Sequence, residues 1–368
     1  MKMKNITLVM MLLLCWSLTH GQPSRFSDAV IVESTSLKHQ KATGKCWSFA
    51  STSLLEAEAM RLKKDIPELS SFYFVYYNYL EKSRDYLTRK GNGKIFWGDL
   101  TFSVLEIFDK YGCVPEDAYD GGLGNLTTRR QMMQRWRDED EMNELIQSKL
   151  DSAIAADMEI DVSLEMIRNI LNKEIGVVPD EFQYKNQRFT PTTFAEQICA
   201  LNAQDYVELT SYSHLPFYEK SQLEIPVNWR NKEYLNLPIE DFMATVFEAL
   251  GNGYTLAWDG DIGNDGGFRE SGIVKVKGEY EEEQTIHQEH RQSAFERKTT
   301  TDDHNMHIVG YLKDKQGDYY FMLKNTWGEN RGKHGYWYLS ENYFRLRTIS
   351  VTVNQQVIPT EIGAKVTF

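Results

Sequence analysis

Gln40-Lys41-Ala42-Thr43-Gly44-Lys45-Cys46-Trp47-Ser48-Phe49-Ala50 is the stretch on which the reading of the fold turns. Gly44 permits a tight turn just ahead of the thiol. The run from Cys46 to Leu62, rich in Ala, Leu and Glu, predicts a helix whose first turn carries Cys46. A helix N-terminus bears a partial positive charge, which favours thiolate over thiol. The thiolate is the nucleophilic form of cysteine, so an attacking sulfur belongs there. The first N–H groups of a helix have no partner within it. The Cys46 N–H is therefore free to face a developing oxyanion, and the Gln40 side-chain amide, six residues upstream, is a candidate second donor. A buried cysteine at a helix start would account for Cys46 alone, but not for Gln40, Gly44 and Trp47 around it.

A sulfur nucleophile needs a histidine base and a group to orient it, brought close by the fold rather than by the sequence. Asp303-His304-Asn305-Met306-His307-Ile308-Val309-Gly310-Tyr311 offers two histidines. On a strand an odd offset turns side chains to opposite faces, so only one of the two can face Cys46. Leu323-Lys324-Asn325-Thr326-Trp327-Gly328 supplies an amide beside a tryptophan. Asn325 there would fix the tautomer and rotation of an imidazole.

Together these stretches resemble the papain-like cysteine peptidases, whose nucleophile motif is Gly-x-Cys-Trp preceded by an oxyanion glutamine at this spacing. In that family the catalytic histidine precedes a strand-ending glycine by six residues, which selects His304 ahead of Gly310. The resemblance implies Cys46 as nucleophile, His304 as base and Asn325 as its orienter. It makes Gln40 and the Cys46 N–H the oxyanion hole, gives Gly44 and Trp47 supporting places, and has Trp327 cover the His–Asn bond. The implied fold is α+β and two-lobed, a helical lobe packed on a β-barrel lobe. Thr43 stands where many secreted members carry a disulfide cysteine. That departure points to the bleomycin hydrolase and aminopeptidase C branch, as do Phe96-Trp97-Gly98-Asp99, Lys110-Tyr-Gly-Cys-Val-Pro115, Tyr234–Glu240 and Trp258-Asp259-Gly260-Asp261.

The branch implies peptide substrates, no cofactor, hexamer assembly, and a C-terminal arm in the cleft that restricts cleavage to free N-termini. Here the chain ends Ile358-Pro-Thr-Glu-Ile-Gly-Ala-Lys-Val-Thr-Phe368, where that arm is shortened or absent. An aminopeptidase is expected. An endopeptidase without the arm, or a non-catalytic peptide-binding relative, stays open.

The coarse pattern agrees with the implied class. Leu100 to Tyr111 predicts a second helix. Tyr254–Trp258, Ile308–Leu312, Tyr319–Lys324, Tyr336–Leu339 and Ile349–Val353 predict strands. Helices first and strands later suggest an α+β protein. His304 follows Cys46 by about 260 residues, against roughly 130–150 in simple papain-like enzymes. The surplus is assigned to a mostly helical insertion over residues 129–250, between a helical lobe (22–128) and a β lobe (251–368).

Bulk properties narrow the remaining possibilities. The 368 residues carry a net charge of −12, which argues against nucleic acid as a partner. Met1-Lys2-Met3-Lys4, an apolar run from Ile6 to Leu18 and Thr19-His20-Gly21 have the layout of a secretory leader cut before Gln22. Export to the periplasm or the exterior is expected, with no stable membrane span, because no second long apolar run occurs. Only Gln22 to Lys45 then precede Cys46, which leaves no room for an inhibitory propeptide. Of four cysteines Cys15 goes with the leader, and Cys113 and Cys199 are expected to be buried and inert. No metal site is expected: the pairs His287/His290 and His304/His307 have the spacing for a shared helix face, but the second lies on a strand, where it diverges.

Overall fold

A computed structural model describes residues 26–263 and 271–366, so the expected leader at residues 1–21 lies outside the described residues. The chain enters as β1 (Phe26–Ile31), crosses an extended segment and turns into α1 (Cys46–Arg61), α2 (Ser71–Thr88) and α3 (Thr101–Tyr111). Helices α4 (Arg129–Ala155) and α5 (Ile160–Ile175) follow, then a hairpin of β2 (Phe182–Tyr184) and β3 (Gln187–Phe189), and the short α6 (Pro191–Phe194). Next come β4 (Tyr206–Thr210), β5 (Lys220–Gln222), β6 (Glu233–Asn236), α7 (Ile239–Gly251), β7 (Leu256–Gly260), β8 (Ile273–Val274) and α8 (Gln288–Glu296). The β lobe closes with β9 (His304–Asp314), β10 (Tyr319–Lys324), β11 (Tyr336–Ser340), α9 (Glu341–Arg347), β12 (Thr348–Asn354) and α10 (Thr360–Gly363).

Local chemistry sets the helix limits. Thr128 and Gln131 form a reciprocal capping box that starts α4: the Gln131 N–H donates to Thr128 Oγ1 at 3.2 Å, and the Thr128 N–H donates to Gln131 Oε1 at 2.9 Å. Helix α3 stops at Gly112, whose φ of +79° suits glycine, and a Cβ there would stand 2.2 Å from the Pro191 carbonyl oxygen. Trp47 and Phe49 of α1, Phe72 of α2, Ile107 of α3, Ile146 of α4 and Leu171 of α5 share one apolar core. Residues 129–175 are therefore part of the helical lobe's own core. In the rest of the stretch expected to be mostly helical, α6 and α7 alternate with five short strands, β2 to β6, that lie between Phe182 and Asn236. Tyr206-Val-Glu-Leu-Thr210 has the aromatic and β-branched content that suits a pleated surface, and short strands of this kind are masked by the loops around them. In the same lobe Cys113 and Cys199 are fully buried, with their sulfurs 3.5 Å apart.

The strands form one ten-stranded mixed sheet in the order β5-β6-β4-β12-β7-β9-β10-β11-β8, with β1 added to β9. One face is apolar. Trp258, Met306, Ile308, Phe321 and Val351 pack there against Phe242 and Val246 of α7 and Phe344 of α9. A bulge between Met322 and Leu323 shifts the register of β10 on β9, so that Val309 and Leu312 face a separate cluster with Tyr320 and Met322. The other face of β9 meets α1, and that contact is polar. Ser53 Oγ bonds His307 Nδ1 at 2.9 Å and accepts from Lys324 Nζ at 2.8 Å. Nearby, Lys38 Nζ meets Glu56 Oε1 at 2.8 Å, both buried. The lobes are thus fastened by directional bonds between buried polar groups, which must find partners and so fix one mutual orientation.

Candidate active site

Cys46 opens α1 as the sequence predicts, with intermediate exposure, and Trp47 beside it is buried, donating from Nε1 to the Trp97 carbonyl oxygen at 3.0 Å. The reason for Gly44 is different from the turn expected of it. Its φ is not left-handed. A Cβ at Gly44 would instead stand 2.1 Å from Trp97 Cε3, so the position excludes a side chain because the indole lies against it. The Gly44 N–H donates to Glu139 Oε2 at 3.3 Å, and Lys45 Nζ lies 3.7 Å from that oxygen. Helix α4 therefore grips the loop that presents the sulfur. Gly44→Ala is expected to lower kcat/KM about a hundredfold through displacement of Cys46, since misplacement by 1 Å costs on that order. Steady-state kinetics check it, and unchanged kcat/KM would sever the link between the indole contact and the sulfur.

Gln40 is buried between the two loops of the site. Its backbone N–H donates to the Thr326 carbonyl oxygen at 2.9 Å, its Nε2 donates to the Thr43 carbonyl oxygen, and its Oε1 accepts from Thr326 Oγ1. The amide carries a second N–H, and its plane is held on both sides.

His304 Nε2 bonds Asn325 Oδ1 at 2.9 Å, both residues being buried. Asn325 Oδ1 also accepts from the Thr326 N–H at 2.7 Å, so it faces the ring as an acceptor. The proton must then sit on Nε2, which leaves Nδ1 as the basic nitrogen. The centroid of the Trp327 ring lies 4.8 Å from that of the imidazole, with the two planes tilted by 34°. Burial pushes His304 down to about 4, partly offset by the Asn325 bond. Burial also pushes the Cys46 thiol up to about 11, against the lowering effect of the Asn305 and Trp47 N–H groups. The helix terminus alone does not yield a standing thiolate, because desolvation outweighs it. Each group by itself is neutral at neutral pH.

The two histidines do point to opposite faces of β9, but His307 is the one laid against the body of α1. Its partner Ser53 stands two turns along the helix from Cys46. His304 occupies the first position of the strand, beside the Asn325 loop. His287 and His290 belong to a helix start, where the His287 N–H donates to His290 Nδ1 at 3.2 Å. No group of three metal-ligating side chains occurs among the described residues.

Two polar residues at the site were not assigned from sequence. The Cys46 thiol donates to Asn305 Oδ1 at 3.9 Å, and Asn305 Nδ2 donates to Asp259 Oδ1 at 3.2 Å. Asn305 adjoins His304, and period-two counting places it on the same side of β9 as His307, facing α1. That count was the available signal. At the other end of the chain, Lys365 Nζ meets Asp241 Oδ2 of α7 at 3.1 Å and Val366 packs on the α7 side of the sheet. The described part of the tail thus lies across the sheet from α1, and residues 367–368 lie outside the described residues.

A family model described as the Peptidase C1-like family matches residues 99–367. The chain belongs to the Peptidase C1-like family. This Peptidase C1-like chain is 23% identical to aminopeptidase C of Streptococcus thermophilus, over 88% of its own length and 81% of the relative's. It is 22% identical to the mitochondrial cysteine proteinase 1 of Saccharomyces cerevisiae (strain YJM789), covering 93% of this chain and 79% of that one. Its fold is papain-like and is shared with PepW of Lactobacillus rhamnosis. The two superpose with a TM-score of 0.71 at 19% identity, over 93% of this chain and 84% of PepW. Like those relatives in class, the Peptidase C1-like chain is a cysteine peptidase. No helix among its described residues is long and apolar enough to cross a membrane.

Proposed function

We propose that the protein is a cysteine aminopeptidase, with Cys46 as nucleophile, His304 as proton carrier and Asn325 as the orienter of the imidazole. The observation that carries the assignment is the 2.9 Å bond from His304 Nε2 to Asn325 Oδ1, with the sulfur held on the residue next to His304. The thiol passes its proton to Nδ1 and attacks the substrate carbonyl. The second Gln40 N–H and the Cys46 N–H receive the oxyanion, the imidazolium protonates the leaving amine, and water then hydrolyses the thioester. Removal of single residues from free N-termini rests on the names of the aminopeptidase C relatives. The described tail packs beside α7, away from α1, and this favours an endopeptidase as the second reading.

Free-amino and N-acetylated aminoacyl amides assayed side by side test the choice. An aminopeptidase prefers the free-amino series, and faster cleavage of the acetylated series would overturn that reading in favour of an endopeptidase. We also propose that the protein is exported and that its leader is removed before Gln22, on the strength of the basic start and apolar run in residues 1–18. Mass spectrometry of the protein recovered from its native host should find Gln22 at the N-terminus, and a chain retaining Met1 would refute export by this route.

A further inference from the structure

The Asp259–Asn305 pair has no role in the chemistry described above, yet it makes the contact with the sulfur. Asp259 on β7 and Asn305 on β9 are cross-strand neighbours, and both are about 5% exposed. Asn305 Nδ2 points at two acceptors, Asp259 Oδ1 at 3.2 Å and the Trp258 carbonyl oxygen at 3.5 Å. That fixes the amide so that its acceptor, Oδ1, faces Cys46. Asp259 Oδ2, also buried, has no hydrogen-bond partner among the described residues. A buried carboxyl oxygen without a donor is costly unless something supplies one. No basic side chain among the described residues pairs with Asp259. Its charged neighbours are the acids Asp302, Glu208 and Asp303, which with burial hold it well above the usual carboxylate range.

From this geometry we infer that Asn305, backed by Asp259, receives the free α-ammonium group of the substrate. In a peptide the α-nitrogen is about 2.5 Å from the carbonyl carbon of the same residue. A carbonyl poised for attack lies about 3–3.5 Å from the sulfur, so the α-nitrogen of an N-terminal residue comes within roughly 3–5 Å of Sγ. Asn305 Oδ1 stands 3.9 Å from Sγ, so an α-nitrogen turned to that side of the sulfur can meet it in a hydrogen bond. The ammonium replaces the S–H as donor to Oδ1, which frees the thiol to give its proton to His304. Its positive charge favours the ionised form of Asp259, which burial and the neighbouring acids otherwise oppose. An acylated nitrogen brings neither the charge nor the spare N–H groups. The pair would therefore select free N-termini by a charge-assisted bond in a nearly water-free place.

This inference rests on the aminopeptidase reading, and the test separates the two. The ratio of kcat/KM for a free-amino aminoacyl-methylcoumarin amide to that for its N-acetyl counterpart is measured in the wild type, Asn305→Ala and Asp259→Asn. The ratio should fall tenfold or more in both variants, and Asp259→Asn keeps the shape of the site should Asn305→Ala fail to fold. A purely structural role would lower both substrates together and leave the ratio in place. A wild type that favours the free amine, with variants whose ratio does not move, overturns this inference alone. A wild type without that preference overturns the aminopeptidase reading and the inference with it.

Discussion

Cys46→Ala protein is expected to lose about 10,000-fold or more in turnover, as removal of a covalent nucleophile does in other hydrolases. Alanine is the strongest helix former, so α1 still begins where it does. The only described side-chain bond removed is the weak one to Asn305 Oδ1. Thermal unfolding should therefore match the wild type within a few degrees while hydrolysis disappears. The same variant should no longer be labelled by an epoxide thiol trap. Retention of wild-type turnover would eliminate the acyl-enzyme route, and with it the catalytic roles of His304, Asn325 and Gln40.

The second large effect separates the histidines. His304→Ala should be about as damaging as loss of Cys46, because proton carrier and nucleophile act as one unit whose losses do not add. His307→Ala should keep most of its activity and lose stability instead. It removes one of the two partners of the buried Ser53 hydroxyl, leaving only the bond from Lys324 Nζ, and a buried bond left unmade in this way costs about 1–3 kcal/mol. Turnover and melting temperature of the two variants, measured together, should give opposite profiles. An essential His307 and a dispensable His304 would mean that the base is the ring bonded to Ser53.

Much of the candidate site is legible in the sequence because its residues lie in short stretches. Cys46 with Gln40, His304 six residues ahead of Gly310, and Asn325 beside Trp327 are each local patterns, and the strand limits of β10 follow directly from its aromatic and aliphatic run. What stays hidden depends on contacts between distant segments. The indole of Trp97 explains Gly44, Glu139 of α4 holds the nucleophile loop, and Asp259 orients Asn305 from the neighbouring strand. None of these pairs has a spacing that announces it. Strands β4 to β6 escape a reading of the sequence for a related reason: each is three to five residues long and gains its stability from the sheet it joins, not from its own periodicity. The direction of the Cys46 shift is also out of reach, since a helix start can be read from sequence but the depth of burial cannot.

The enclosure of Cys113 and Cys199 gives the folded protein a built-in counter. Both sulfurs are sealed in the helical lobe, and burial raises the Cys113 thiol well above its usual range, so neither meets a reagent while the lobe stays folded. A chain trimmed at Gln22 then offers one reactive sulfur. Moles of trap bound per mole of protein read the competent fraction of a preparation directly, without a substrate. A stoichiometry climbing from one toward three under mild denaturant would time the opening of the helical lobe. Followed beside the decay of turnover, that climb would tell whether the catalytic cleft fails before the scaffold beneath it or together with it.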